Sequence, residues 1–148
     1  MMLEKKLTKV VSILIYYKHK LLLQLRDQNK SIPFPGCWGF ISGGLKACET
    51  PLVGAKREVE EELSIKNLKN IYFLYNFLNK KNENVLYHVF IVNLNFKPYI
   101  KLQEGIECSF FSKIDFLKGY KYSKKLKKNC FLAENPVMKK FFFKSSKL

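Results

Sequence analysis

The chain has 148 residues, 47% of them hydrophobic and 26% charged, which is the length of one domain and the composition of a globular protein rather than a disordered or fibrous one. Lys and Arg total 27 against 12 Asp and Glu, a formal charge of +15, and no run reaches the roughly 18 apolar residues that a membrane span needs. The four cysteines (Cys37, Cys48, Cys108 and Cys130) and the two histidines (His19 and His88) make no C-x-x-C pair and no zinc-finger spacing, so reduced thiols in a cytoplasmic protein are expected.

Met1 to Lys9 carries Glu4, Lys5, Lys6 and Lys9 with no long apolar stretch, so no signal peptide is expected. Val10 to Tyr17 and Leu21 to Leu25 read as two β-rich strands joined at Lys18-His19-Lys20, a hairpin. Asp27 to Gly36 is a loop punctuated by Asn29, Pro33, Pro35 and Gly36. Trp38 to Ile41 reads as a short strand ended by Ser42-Gly43-Gly44, with the two glycines expected to make a tight turn. Thr50-Pro51 starts a helix, Thr as cap and Pro at the first helical position, and the helix runs to about Leu63. Ile71 to Leu78 and Val85 to Leu94 are apolar strands around the polar turn Asn79 to Asn84. Glu107 to Phe111 is a short strand, Lys113 to Leu117 a turn of helix, and Glu134-Asn135-Pro136 opens a last helix from Val137 to about Phe143. There is no internal repeat and no interdomain linker. One mixed α/β domain over residues 1–148 is expected.

The lysines scatter along the chain and thicken beyond Lys113, as in Lys124-Lys125-Leu126-Lys127-Lys128, amid abundant Asn, Ile, Phe and Tyr. That pattern reads as compositional bias, so a nucleic-acid partner is not expected, although the field favours anionic ligands such as nucleotide phosphates. The acids are scarce, yet Glu58, Glu60, Glu61 and Glu62 fall within five residues. On the helix from Pro51, Leu52, Ala55, Val59 and Leu63 form the expected buried stripe. Glu58, Glu61 and Glu62 share a face, with Glu60 turned to solvent. Carboxylates so close repel one another by a few tenths of a kcal/mol per pair, roughly. A hard divalent cation, Mg²⁺ or Mn²⁺, would offset that repulsion.

Gly43, Glu49 and Arg57-Glu58-Val59-Glu60-Glu61-Glu62-Leu63-Ser64-Ile65 resemble the Nudix box, G-x5-E-x7-R-E-U-x-E-E-x-G-U with U aliphatic, at eight of its nine specified positions. Leu21 to Asp27 and Pro35-Gly36-x-Trp38-Gly39 resemble the lead-in to that box, and Leu102 to Glu107 resembles a MutT-like segment that places a further metal-binding glutamate, here Glu104. The resemblance implies a Nudix-fold α/β/α sandwich with a mixed sheet. It implies Mg²⁺-dependent hydrolysis of a nucleoside diphosphate linked to a further group, first of all a nucleoside triphosphate, oxidised or not, to monophosphate and pyrophosphate. Nucleotide sugars, ADP-ribose and dinucleoside polyphosphates are the alternatives, and a non-catalytic nucleotide or nucleic-acid-binding module is the reading from another class.

The same resemblance makes Glu58, Glu61 and Glu62 metal ligands, with Glu58 also a candidate general base and Arg57 its orienting partner. Glu49 holds the loop to the helix. Ser42 supplies a backbone carbonyl to the metal in place of the usual glycine, Gly43 and Gly44 border the substrate, and Arg26 reaches a phosphate. By resemblance to MutT-like members, Asn135, or Glu134, is expected to read a purine base. Glu107 is the fallback for Glu104. Cys48 and Ser64 stand where the family has glycine. Trp38 and His88 read as packed residues. A small-molecule nucleotide is the expected partner, with no membrane and a monomeric or homodimeric state.

Overall fold

A computed structural model describes residues 6–79 and 84–145, with side chains as far as 141. Most of the turn expected between Asn79 and Asn84 lies outside the described residues. The elements in chain order are β1 (Thr8–Tyr17), β2 (Lys20–Leu25), β3 (Trp38–Gly39), β4 (Ile41–Gly44), α1 (Pro51–Leu63), β5 (Ile71–Asn79), β6 (Val85–Leu94), β7 (Glu107–Phe111), α2 (Lys113–Lys118), β8 (Tyr120–Ser123), β9 (Lys128–Phe131) and α3 (Pro136–Ser145).

A seven-stranded sheet follows the order β3-β2-β1-β6-β5, with β4 beside β1 and β7 beside β2. It is mixed: β1 runs parallel to β6, from Thr8 opposite Val85 to Tyr17 opposite Leu94, and the other pairs are antiparallel. The period-two alternation of β1 divides the core. Val11, Ile13 and Ile15 face one cluster with Ala55, Val59 and Leu63 of α1. Leu14 faces the other, with Trp38, Phe111, Phe116, Val137 and Met138. Helices therefore cover both faces, which is the expected α/β/α sandwich.

Three expectations need correction. The strand read as Trp38 to Ile41 is two strands, broken at Phe40 as the chain leaves β2 for β1. Ser42-Gly43-Gly44 does not turn: these residues belong to β4 and pair with Ser12, Val11 and Val10. Leu52 is 42% exposed; on the first turn of α1 the burial falls instead on Gly54, covered by Leu45 and Glu49 of the preceding loop. Between Leu117 and Glu134, where no element was expected, the chain forms the hairpin β8–β9, whose lysines mask a four-residue alternation.

Candidate active site

Helix α1 starts where Thr50 leaves extended backbone (φ −72°, ψ 152°) and accepts a hydrogen bond from the Val53 N–H at 3.3 Å. It ends at Ser64, in the left-handed region at φ 60°, whose N–H donates to the Glu60 carbonyl at 2.9 Å. Ala55, Val59 and Leu63 are pinned to the sheet. That fixes the roll of the helix and carries Glu58 and Glu62, one turn apart, to its flank, 8% and 5% exposed. Glu61 falls outside this flank, its side chain 51% exposed. Glu60 is exposed, as expected.

Arg57 ties the loop to the helix. Its Nε and Nη2 donate to Glu49 Oε2 and Oε1 at 2.7 and 2.8 Å, the fork geometry of a bidentate pair. Nη1 donates to Glu58 Oε1 at 2.7 Å and to Glu61 Oε2 at 3.1 Å, and Nη2 also to the Gly44 carbonyl at 3.1 Å. The Arg57 bond, seconded by the Lys46 N–H, holds the Glu49 carboxyl at about 2. Glu49 first, and then Glu58, raise the guanidinium pKa. Gly43 lies directly under Glu58, and a Cβ at that position would run into the Glu58 carboxyl group. A Cβ at Gly44 would meet nothing within 4 Å.

Beside this network lies a cleft of about 450 Å³, lined among others by Gln24, Arg26, Ser42, Glu62, Glu104 and Gly105. The segment after residue 100 docks on the end of α1: the Lys101 N–H donates to the Leu63 carbonyl at 3.1 Å and the Gln103 N–H to the Glu62 carbonyl at 2.9 Å. These bonds satisfy carbonyls that the helix leaves open. They also bring Glu104 to the cleft, where Gln24 Nε2 holds its carbonyl at 2.6 Å. Glu62 Oε2 is buried with no hydrogen-bond partner. Burial, then the charges of Glu58 and Glu104, push the Glu62 carboxyl up to about 8.

A buried carboxylate oxygen without a partner, among further carboxylates and backbone carbonyls, fits a hard divalent cation. Among the described residues, no three acidic, His or Cys side chains already converge on one point. Glu58 and Glu61 both contact Arg57 Nη1, and Glu62 stands beside Glu58 and lines the cleft. Glu61 is the most exposed of the three, its other oxygen 3.9 Å from Lys46 Nζ.

The remaining candidates separate. Arg26 lines the cleft, its Nε bonded to the Pro33 carbonyl at 2.8 Å. Asn135 does not line the cleft; its Oδ1 accepts the Met138 N–H at 2.8 Å, so it caps α3. Glu134 borders a second, mostly apolar cavity of about 600 Å³ with Phe34, Phe131 and Met138. Glu107, at the start of β7, accepts from Ser123 Oγ at 2.6 Å and so holds the β8–β9 turn. His88 stands in the sheet with Nε2 buried, and burial lowers its pKa. Trp38 is core, its Nε1 bonded to the Lys121 carbonyl at 3.2 Å. Gln24, Gln103 and Gly105 of the cleft escaped the sequence reading. Gln24 had a signal, since an amide inside the apolar run LLLQL must find a polar partner.

The family model described as NUDIX domain matches residues 6–129. Nudix hydrolase 3 of Arabidopsis thaliana is 41% identical over 63 residues, which are 42% of this chain and 8% of that protein. The MutT protein of Methanosarcina mazei superposes with a TM-score of 0.66 at 25% identity, covering 99% of this chain and 100% of its own. A MutT structure from work on Aliivibrio salmonicida and Vibrio cholerae gives 0.68 at 20% identity over 94% and 99% of the two chains, a likeness of fold.

Proposed function

This chain belongs to the Nudix family, and on that premise we propose that it is a pyrophosphohydrolase acting in the cytoplasm with Mg²⁺, replaceable by Mn²⁺. Its substrate is a nucleoside diphosphate joined to a further group, first of all a nucleoside triphosphate, oxidised or not, released as monophosphate and pyrophosphate. The observation that carries this reading is the partnerless Glu62 oxygen, buried at a cleft that also holds Arg26 and Glu104.

Glu58, Glu61 and Glu62 hold the cation, with Glu104 and the Ser42 carbonyl as further oxygen donors. Such a cation would supply neutralisation of phosphate oxygens and a lowered pKa for the attacking water. Arg57 keeps the Glu58 carboxylate fixed, so that it stands ready as ligand or as general base without reorganising. Gly43 leaves the room that this carboxylate occupies. Arg26 uses its other N–H groups on a substrate phosphate. No helix among the described residues is long and apolar enough to cross a membrane.

The test is hydrolysis of a panel of canonical and oxidised nucleoside triphosphates, ADP-ribose, nucleotide sugars and dinucleoside polyphosphates, beside Glu61→Gln and Glu62→Gln. The wild type turns over a triphosphate, and each variant loses at least about 100-fold in rate. Preferred turnover of another panel member replaces the substrate assignment. Absence of turnover with both Mg²⁺ and Mn²⁺ overturns the catalytic reading.

A further inference from the structure

The hairpin β8–β9 forms a two-stranded sheet of its own. Its inner face carries Ser123 and Cys130, both buried. Its register sets Tyr120 opposite Phe131 and Tyr122 opposite Asn129, so these four side chains share the outer face. Three of them are aromatic, 38% (Tyr120), 66% (Phe131) and 55% (Tyr122) exposed. Tyr120 and Phe131 meet edge to face with centroids 6.2 Å apart. Around the tip stand Lys124, Lys125, Lys127 and Lys128, all exposed.

The tip is held in one shape. Glu107 Oε2 accepts from Ser123 Oγ at 2.6 Å and from the Lys125 N–H at 3.3 Å, and Ser123 Oγ accepts from the Leu126 N–H at 3.0 Å. The nearby Asp115 is also engaged, by Lys121 Nζ at 3.2 Å and by the Ser112 N–H at 2.9 Å. Glu107 and Asp115 are thus bound to their neighbours, exposed Glu134 stands beside the Phe131 end, and the rest of the outward surface of the hairpin is rings and lysines.

We propose that this hairpin is a docking surface for single-stranded nucleic acid, whose bases stack on the exposed rings while its phosphates run past the lysines. The pairing of features selects this occupant. A polyanion without bases would leave three rings in water, and an apolar protein partner would have to bury against four positive charges. Single strands present a π-face and a phosphate at every step, and they bind aromatic platforms flanked by basic residues. None of the hairpin residues lines the carboxylate cleft, so the proposal stands whether or not the hydrolase assignment holds.

The experiment titrates the whole chain into fluorescently labelled single strands of about 12 nucleotides, RNA and DNA, and follows anisotropy at several salt concentrations. Tyr122→Ala is expected to weaken binding roughly tenfold, while Tyr122→Phe keeps it. Replacing Lys124, Lys125, Lys127 and Lys128 together by Gln should reduce the slope of log K against log salt by about 3. Lys66→Gln with Lys69→Gln, at exposed positions after α1, should change neither. Melting temperatures of all variants report their folding independently of hydrolysis. Equal losses in the control and hairpin lysine variants would mean a diffuse field and overturn the proposal. So would indifference to Tyr122→Ala, or equal affinity for duplex, whose paired bases cannot stack on the rings.

Discussion

Burial holds the Glu62 carboxyl at about 8, against an ordinary value near 4.5. Between those two values the folded chain keeps a proton that the unfolded chain has lost, so stability falls as pH rises across the window. Without divalent cation, the melting temperature should therefore drop between about pH 5 and about pH 8, and Glu62→Gln should flatten that slope. Added Mg²⁺ should raise the melting temperature more at the upper end, where binding need not displace a proton. An unaltered slope in Glu62→Gln would assign the effect to other groups. Glu49 acts in a different window: its carboxyl is held at about 2, so its contribution is present above the ordinary carboxylate value and is lost on strong acidification. The resemblance of the box already assigned Glu49 to holding the loop to the helix. It could not say that Glu62 is buried while Glu61 is exposed, because neighbouring helical positions differ only in what packs over them.

Strand β4 and helix α1 meet at a contact that depends on one missing side chain. Gly43→Ala would drive a Cβ into the Glu58 carboxyl group. The carboxylate would have to shift, and the rate should fall by roughly 100-fold. Gly44→Ala meets open space and should keep both rate and fold, within about 0.5 kcal/mol; parallel kinetics and melting of the two variants check the contrast. At the other end of α1, Ser64 occupies a left-handed cap at φ 60°, and its Oγ donates to the Lys101 carbonyl at 3.0 Å and accepts from Gln103 at 3.1 Å. Those bonds are exposed and water can replace them, so relief of backbone strain should prevail. Denaturant titration should find Ser64→Gly more stable by about 0.5–1 kcal/mol. Ser64→Ala keeps the strain, loses the bonds and should be less stable by about 1 kcal/mol. Helix α1 was legible because Thr50, Pro51 and the periodic Ala55, Val59 and Leu63 all agree. The glycine pair was misread because a glycine that spares room for a carboxylate looks, in sequence, like one that turns the chain.

The whole chain carries a formal charge of +15, and self-repulsion on that scale opposes the compact state. Raising salt from about 10 mM to about 150 mM shortens the screening length from about 30 to about 8 Å. The melting temperature should rise, and a fall would mean that attractive pairs such as Arg57 with Glu49 outweigh the general repulsion. At this scale, local order was written into the chain: the alternation of β1, the cap and stripe of α1, and the acid spacing of the box each depend on residues close in sequence. Strand pairing was not, since β1 lies parallel to β6 more than 70 residues away and no local pattern encodes that choice. The same holds for Glu104, carried to Glu62 by a segment docking on spare helix carbonyls, and for the aromatic face of β8–β9. Chemistry that rests on spacing could be read along the chain; burial, which sets the charge state of Glu62 and the exposure of the rings, exists only after distant segments have packed.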